Sequence, residues 1–536
     1  MQFDPHSYPY PSKRNVMYAR KGMVATSQPL AAQAGLEILK AGGNAVDAAV
    51  ATAAALTVVE PTSNGIGGDA FALVWMKKEL HGLNASGPAP QELTIEAVQK
   101  AGFEQIPETG VIPVTIPGAP SAWAELTNRF GKLTLEENLQ PAIQLAEEGF
   151  PVSPTAAEFW QEAVDTYKKK HTSDEFEAWF STFAPGGRAP LAGELWRSVD
   201  HANTLREIAK TNSSSFYNGK IADKIHSFFK LHGGYLSKKD LSVYRPEWVT
   251  PIQTTYKGYD IWEIPPNGQG LTALMALSTL RNDTFNAKDS AETLHLQIEA
   301  MKLAFADGLQ YITEEKDMSV SSNDLLDSGY ADQRRKTITD TAQYPKHGEP
   351  QKGGTVYLAT ADKDGNMVSF IQSNYMGFGS GIVIPGTGIA MQNRGHNFSL
   401  KEADANVLRP GKRTYHTIIP GFVTRKKEAV GPFGVMGGFM QPQGHLQVIM
   451  NSIDFNLNPQ ASLDAPRWLW KKGVDVEVDP LFPQYLIESL AKRGHKITRA
   501  SNHNEFGRGQ IIWRDPLSGV LSGGTESRTD GCIASW

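Results

Sequence analysis

The sequence predicts a layered α+β protein with stacked sheets. Strand-rich and helix-rich stretches interleave without the regular spacing of β-α-β units and without internal repeats. One hairpin is legible in full. Val356, Leu358 and Thr360 alternate with Tyr357, Ala359 and Ala361, Asp364-Gly365 supplies a tight turn, and residues 367–371 return as the partner strand. The 50 glycines and 32 prolines fit the many turns of such a fold.

The elements follow in order. Residues 28–40 place Ala31, Ala34, Leu36, Ile38 and Leu39 at helical spacing and stop at Ala41-Gly42-Gly43. Asn44 is a good N-cap for a second helix over 45–58, whose alanines allow close packing. S-N-G-I-G-G-D at 63–69 leads into a strand over 70–76. That glycine loop lies between a helix and a strand, the wrong order for a phosphate cradle, so tight backbone packing is expected there. A helix is expected over 119–130, a further helical piece over 142–148, and mostly helix over 155–230. Strands are expected near 249–254 and 259–262, then a helix from Leu271. His295, Glu299 and Lys302 share one side of a helix over 295–307. No second histidine lies at ligand spacing, so a structural polar face is expected there, and no metal site. Beyond the hairpin, short strands are expected within 377–385, 388–394, 417–423 and 433–436. The Gly-Gly turn of M-G-G-F-M-Q-P-Q-G-H-L-Q (436–447) then opens a helix over 445–453.

Composition narrows the function. With 536 residues, 40% hydrophobic and 20% charged, the chain can bury a large core. A net charge of -5 gives no basis for nucleic acid or an anionic membrane as partner. Cys532 is the only cysteine, which excludes an intramolecular disulfide and a cysteine-based metal cluster. Residues 1–21 carry no apolar signal core, and 45–59 is too short to span a bilayer. The expectation is a cytoplasmic protein with no cofactor and no metal.

The chemistry centres on Thr355. It follows two glycines and opens the hairpin, while the polar, proline-containing run 334–354 before it reads as an exposed loop. A break between Gly354 and Thr355 would give Thr355 both a hydroxyl and a free α-amine. That pairing activates a weak nucleophile.

Several motifs stand in order between about residues 22 and 530. They are G-G-N-A-V-D-A-A (42–49), K-G-G-T-V-Y-L-A-T-A-D-K-D-G-N (352–366), G-F-G-S-G-I-V (377–383), M-G-G-x-x-Q-P-Q-G-H (436–445), D-A-P-R-W (464–468) and R-T-D-G (528–531). This ordered set resembles the γ-glutamyltransferase family, including its cephalosporin acylase-like and glutathione hydrolase-like proenzymes. The resemblance implies an N-terminal-nucleophile hydrolase fold, a four-layer αββα sandwich. It implies self-cleavage into a large subunit, 1–354, and a small one, 355–536, intertwined in one catalytic domain. It also places the nucleophile on Thr355, a second hydroxyl on Ser373 (a serine where the family's threonine is usual) and the oxyanion-binding pair on Gly437 and Gly438.

The substrate pocket departs from the family pattern. Where the family's carboxylate-gripping arginine is expected, A-S-G-P-A-P (85–90) carries Ser86. His416-Thr417 replaces a Ser-Ser pair. Asn397 falls on the acid that binds the substrate α-amine, Arg394 on its neighbouring amide, and Tyr375 on an asparagine. Residues 398–412 are too short for a lid, which favours hydrolysis over transfer. The expected activity is hydrolysis of γ-glutamyl-type amides through an acyl-Thr355 intermediate, as in a glutathione hydrolase. The alternative is a glutaryl-type cephalosporin acylase in which Arg394 holds the distal acid. A reading from another class is an unprocessed, non-catalytic relative that binds an acyl amide. The expected partners are a small-molecule amide and the two subunits of one precursor.

Overall fold

Asn44 shows how the first layer is built. Its side chain accepts from the Val46 and Asp47 N–H groups while Asp47 returns a bond to the Asn44 N–H, a reciprocal cap on the helix Ala45–Val59. That helix is buried along its whole length. Its small side chains let the helix Pro29–Lys40 come so close that a Cβ on Gly35 would lie 2.2 Å from Thr52 Oγ1. The computed structural model describes residues 1, 3–4, 6–12, 14–345 and 354–536.

The predicted hairpin forms as Gly354–Asp362 and Met367–Tyr375, with Leu358 opposite Phe370. Asp362 holds its turn, accepting from the Asp364 and Asn366 N–H groups through Oδ1. Its Oδ2 accepts from the Ala45 N–H at 3.0 Å, which ties the hairpin to the N-terminus of the buried helix. The hairpin is central to a seven-stranded sheet ordered Cys532–Ser535, Gly22–Thr26, Gly354–Asp362, Met367–Tyr375, Asp69–Met76, Glu79–Ala85 and Glu247–Val249. A second seven-stranded sheet runs Met17–Ala19, Leu521–Thr525, Arg508–Arg514, Glu428–Met436, Gly421–Arg425, Tyr259–Glu263 and Ile252–Tyr256. Strands from both sides of position 355 therefore interleave in each sheet.

Three apolar layers hold the stack in the order helix, sheet, sheet, helix. Val356, Leu358, Val368 and Phe370 face the alanine-rich helix and its neighbours. Phe71, Leu73, Tyr357, Ile371, Phe422 and Ile512 fill the space between the sheets. Leu274, Ile298, Phe433 and Ile449 pack helices Gly270–Leu280, Ala291–Tyr311 and Met440–Ile453 on the outer face of the second sheet. This is the expected α+β sandwich. Each fully buried large apolar side chain contributes about 1.5–3 kcal/mol to its cohesion.

Several boundaries differ from the sequence reading. The helix expected over 142–148 runs Leu135–Glu148, because a Thr134–Glu137 capping box starts it earlier and Pro141 is accommodated inside. The helix expected from His445 begins at Met440, directly after the Gly-Gly turn. Residues 417–420 precede the strand Gly421–Arg425, since the Ile418 and Ile419 N–H groups bond His416 Nδ1 and Gln441 Oε1 in place of a sheet neighbour. Arg334–Lys336 closes the helix Ser328–Lys336, where Arg335 clamps Asp283 bidentately, so the loop begins only after it. Within the predicted loop, 346–353 lie outside the described residues. Residues 398–412 fold back on themselves, with Leu408 N–H bonding Ser399 O at 2.8 Å. Phe398 and Leu408 pack there against Leu93 and Val98. Among the described residues no helix is long and apolar enough to cross a membrane.

Candidate active site

Thr355 lies at an irregularity in the hairpin register, between the pairs Gly354–Tyr375 and Val356–Gln372. Its hydroxyl is turned towards the returning strand and donates to Ser373 Oγ at 3.2 Å. Ser373 Oγ also accepts from the Tyr375 N–H at 2.8 Å. Tyr375 holds a φ of +78°, an unusual conformation for a non-glycine residue and one that stores strain beside Thr355. The glycine loop makes this possible by close backbone packing, as expected. A Cβ on Gly68 would lie 2.6 Å from Ser373 O, and one on Gly67 would lie 2.3 Å from Ala390 O.

The predicted substrate residues converge from three segments. Arg394 is fully buried, lies over the Tyr375 ring at 4.3 Å and donates through Nη1 to Thr417 Oγ1 at 2.6 Å. Among the described residues its Nε and Nη2 have no hydrogen-bond partner. Burial pushes its pKa down to about 10, against the pull of Asp69 and Tyr375. Tyr375 donates its hydroxyl to Asn397 Oδ1 at 2.6 Å, and Asn397 Nδ2 donates to Tyr415 O. Burial pushes the Tyr375 phenol up to about 12.

His416 bonds Asp69 Oδ2 at 2.9 Å. Its Nδ1 accepts from Ile418, so Nε2 carries the proton; burial, then Arg394, hold the ring neutral. Asp69 stands opposite Ser373 in the sheet and also accepts from the Gly87 N–H and Gln392 Nε2. Burial pushes its carboxyl up to about 7, with Arg394 the strongest opposing influence. Asp69 belongs to the quoted glycine motif, yet sequence gave it no role, because its partner lies 347 residues away. Ser86 lies behind this group. Its hydroxyl donates to Asn84 Oδ1 at 2.7 Å and accepts from Asn267 Nδ2, which also donates to Thr414 O.

Gly437 and Gly438 form the strand-to-helix turn, with φ of +136° and +58° that favour glycine. Their carbonyls accept from the Met440 and Gln441 N–H groups, and among the described residues neither glycine N–H is engaged. Gln269 Nε2 bonds both Gly438 O and Thr417 O, which locks the turn to the segment that Arg394 grips. Gly434, three residues earlier, lies under the Tyr357 ring, so this strand passes beneath the one that Thr355 opens. A cleft of about 370 Å³ opens beside the turn, lined by Gly437, Met376, Asn393, Phe159, Tyr167 and Arg508.

Away from this site, His495 reaches the expected polar face. Its Nε2 lies 2.8 Å from His295 Nδ1, and Glu299 completes a group of potential ligand atoms within 4.8 Å of one another. Sequence spacing missed this because 200 residues separate the histidines. The group is internally bonded: Lys302 Nζ pairs with Glu299 at 2.6 Å and His295 Nε2 bonds Thr339 O at 2.8 Å.

A model of the gamma-glutamyltranspeptidase family matches residues 31–536. The chain is 35% identical to the glutathione hydrolase-like YwrD proenzyme of Bacillus subtilis, over 95% of this chain and 98% of that one. It is 33% identical to the oxamate amidohydrolase proenzyme of Klebsiella pneumoniae, over 96% and 98%. Among solved structures, the cephalosporin acylase from Bacillus halodurans superposes with a TM-score of 0.96 at 65% identity, covering 100% of this chain and 99% of that one.

Proposed function

The chain belongs to the gamma-glutamyltranspeptidase family, and on that premise we propose that it is a self-processing amidohydrolase working through an acyl-Thr355 intermediate. The observation that carries this reading is the Thr355 hydroxyl, at the head of a central strand and bonded to Ser373. In the first stage Thr355 Oγ attacks the Gly354 carbonyl carbon. The peptide C–N bond breaks, its nitrogen takes the hydroxyl proton, and water opens the resulting ester. The products are a large subunit ending at Gly354 and a small one beginning at Thr355. In the second stage the freed amine, with an ordinary pKa of about 7.7–8.0, accepts the Oγ proton as Oγ attacks the substrate amide. The Gly437 and Gly438 N–H groups receive the oxyanion at a helix N-terminus whose dipole assists. The substrate C–N bond then breaks, the leaving amine takes the proton held by the Thr355 amine, and water hydrolyses the acyl-Thr355 ester to release the acid. Residues 398–412 pack against Leu93 and Val98 and are too short to close as a lid, which favours hydrolysis over transfer.

The acyl group carries a carboxylate. Arg394 has two buried donors without partners among the described residues, and a carboxylate fits a guanidinium bidentately. This accommodates a γ-glutamyl amide. A specific observation favours the glutaryl-type alternative: Asn397, at the position that would meet an α-ammonium, is neutral and already bonded to Tyr375 and Tyr415. The name of the oxamate amidohydrolase likewise describes a carboxylate-bearing amide without an α-amine. Steady-state kinetics on γ-glutamyl and glutaryl p-nitroanilides decide between them. Faster turnover of the glutaryl anilide is expected, and the absence of Thr355-dependent turnover on both would overturn the enzyme reading.

A further inference from the structure

Arg508 is a buried cation of the cleft that the reaction above does not use. It begins the strand Arg508–Arg514, with its Cα opposite Met436, the residue before Gly437. Gly507 packs so closely that a Cβ on Gly437 would lie 3.2 Å from its Cα. The Arg508 guanidinium lies over the Phe159 ring at 4.2 Å and is 8% exposed. Among the described residues it donates no side-chain hydrogen bond, although five N–H donors are present. Four carboxylates act on its charge: Glu60, Glu526, Asp530 and the solvent-exposed Glu158. Glu526 accepts from Arg467, Arg528 and the Gly509 N–H, and Asp530 accepts from Thr155 and the Ala156 N–H. Glu60 accepts from Ser27, and burial pushes its carboxyl up to about 7, so near neutral pH it is only partly charged. Glu162 shares the cleft, and burial raises its pKa also. Lys170 is exposed, where solvent weakens its pull on an anion.

We propose that Arg508, stacked on Phe159, is a specificity-determining residue that binds a carboxylate on the amine half of the substrate. The leaving group is then an amino acid, a peptide or a carboxylated heterocycle, and not a neutral amine. This rests on the reading of the cleft as the amide-cleaving site. The two arginines divide the substrate between them. Tyr375 and Arg394 are fully buried on the acyl side, while their chain neighbours Met376 and Asn393 line the cleft. Either acyl group is compatible with this subsite: glutathione releases a dipeptide with a terminal carboxylate, and a cephalosporin releases a bicyclic amine with a ring carboxylate.

The test uses 4-nitroanilides and 4-carboxyanilides, each as γ-glutamyl and glutaryl amides, with processed wild type, Arg508→Met and Arg508→Lys. Loss of one charge-assisted contact predicts that Arg508→Met lowers kcat/KM on the carboxyanilide by roughly 10–100-fold. The nitroanilide should change by less than about three-fold, and Arg508→Lys should recover part of the loss. Equal losses on both anilides in folded variants, or no loss on either, would overturn the proposal. If Arg508→Met lacks a cooperative thermal transition, Arg508→Lys carries the comparison, with a smaller selective loss expected. If wild type cleaves none of the anilides, the amidohydrolase reading fails by itself. Calorimetry with 4-aminobenzoate and aniline then judges the subsite. Binding of the carboxylate alone, abolished in Arg508→Met, supports it; no binding of 4-aminobenzoate to wild type refutes it.

Discussion

Replacing Arg394 by methionine should separate the acyl half of the site from its chemistry. Among the described residues the fully buried guanidinium makes one hydrogen bond, to Thr417, and its Nε and Nη2 have no partner. Two charge-assisted bonds to a substrate carboxylate at about 1.5–3 kcal/mol each give about 3–6 kcal/mol, roughly 10²–10⁴ in kcat/KM. Methionine retains much of the apolar contact with Tyr375. Asp69 loses its strongest opposing charge, so its carboxyl rises further above about 7 and stays protonated near neutral pH, leaving no bare buried anion. The assay compares glutaryl and pentanoyl p-nitroanilides, which differ by a methyl in place of the distal carboxylate. Arg394→Met should lose that factor on the glutaryl substrate and change little on the pentanoyl one. An equal loss on both would refute the assignment and make Arg394 a structural counter-charge to Asp69.

Two further outcomes follow from the same geometry. Gly437→Ala places a Cβ at a φ of +136° and 3.2 Å from Gly507 Cα, so the turn must shift. Loss of an oxyanion donor predicts a fall in kcat of roughly 10²–10³ on the favoured anilide, and an unchanged kcat would remove Gly437 from that role. Glu60, pushed by burial from 4.5 up to about 7, holds its proton in the folded state where the unfolded carboxylate has lost it. Stability therefore falls as pH rises through that window, by at most about 3 kcal/mol, and levels off above it. Melting curves of Glu60→Gln should show a gain over wild type that is larger at pH 8 than at pH 5; a pH-independent difference would contradict this.

Sequence revealed what is local. The 355–371 hairpin was legible because strand alternation and turn chemistry lie within a few residues, and Asn44 because a cap needs only its own first turn. The ordered motifs supplied the fold and named Thr355, Ser373 and the Gly437–Gly438 turn. What stayed hidden depends on which strands become neighbours. Asp69 opposite Ser373, Gln269 bridging Thr417 and Gly438, and His495 against His295 each join segments far apart in the chain. Arg508 carries no motif at all, and only its register against Met436 brings it to the cleft. The early start of Leu135–Glu148 was missed for a smaller reason, a proline tolerated in the middle of a helix.

The most direct test of the central claim is the intact mass of purified wild-type protein beside Thr355→Ala. Scaling 58.6 kDa by residue number, cleavage before an N-terminal threonine nucleophile predicts fragments of roughly 39 and 20 kDa in wild type, the smaller beginning at Thr355. Thr355→Ala should remain one full-length chain. A single full-length species in both after long incubation would contradict the account, since an uncleaved Thr355 has no free amine to act as its base, and would bring the non-catalytic binding protein forward.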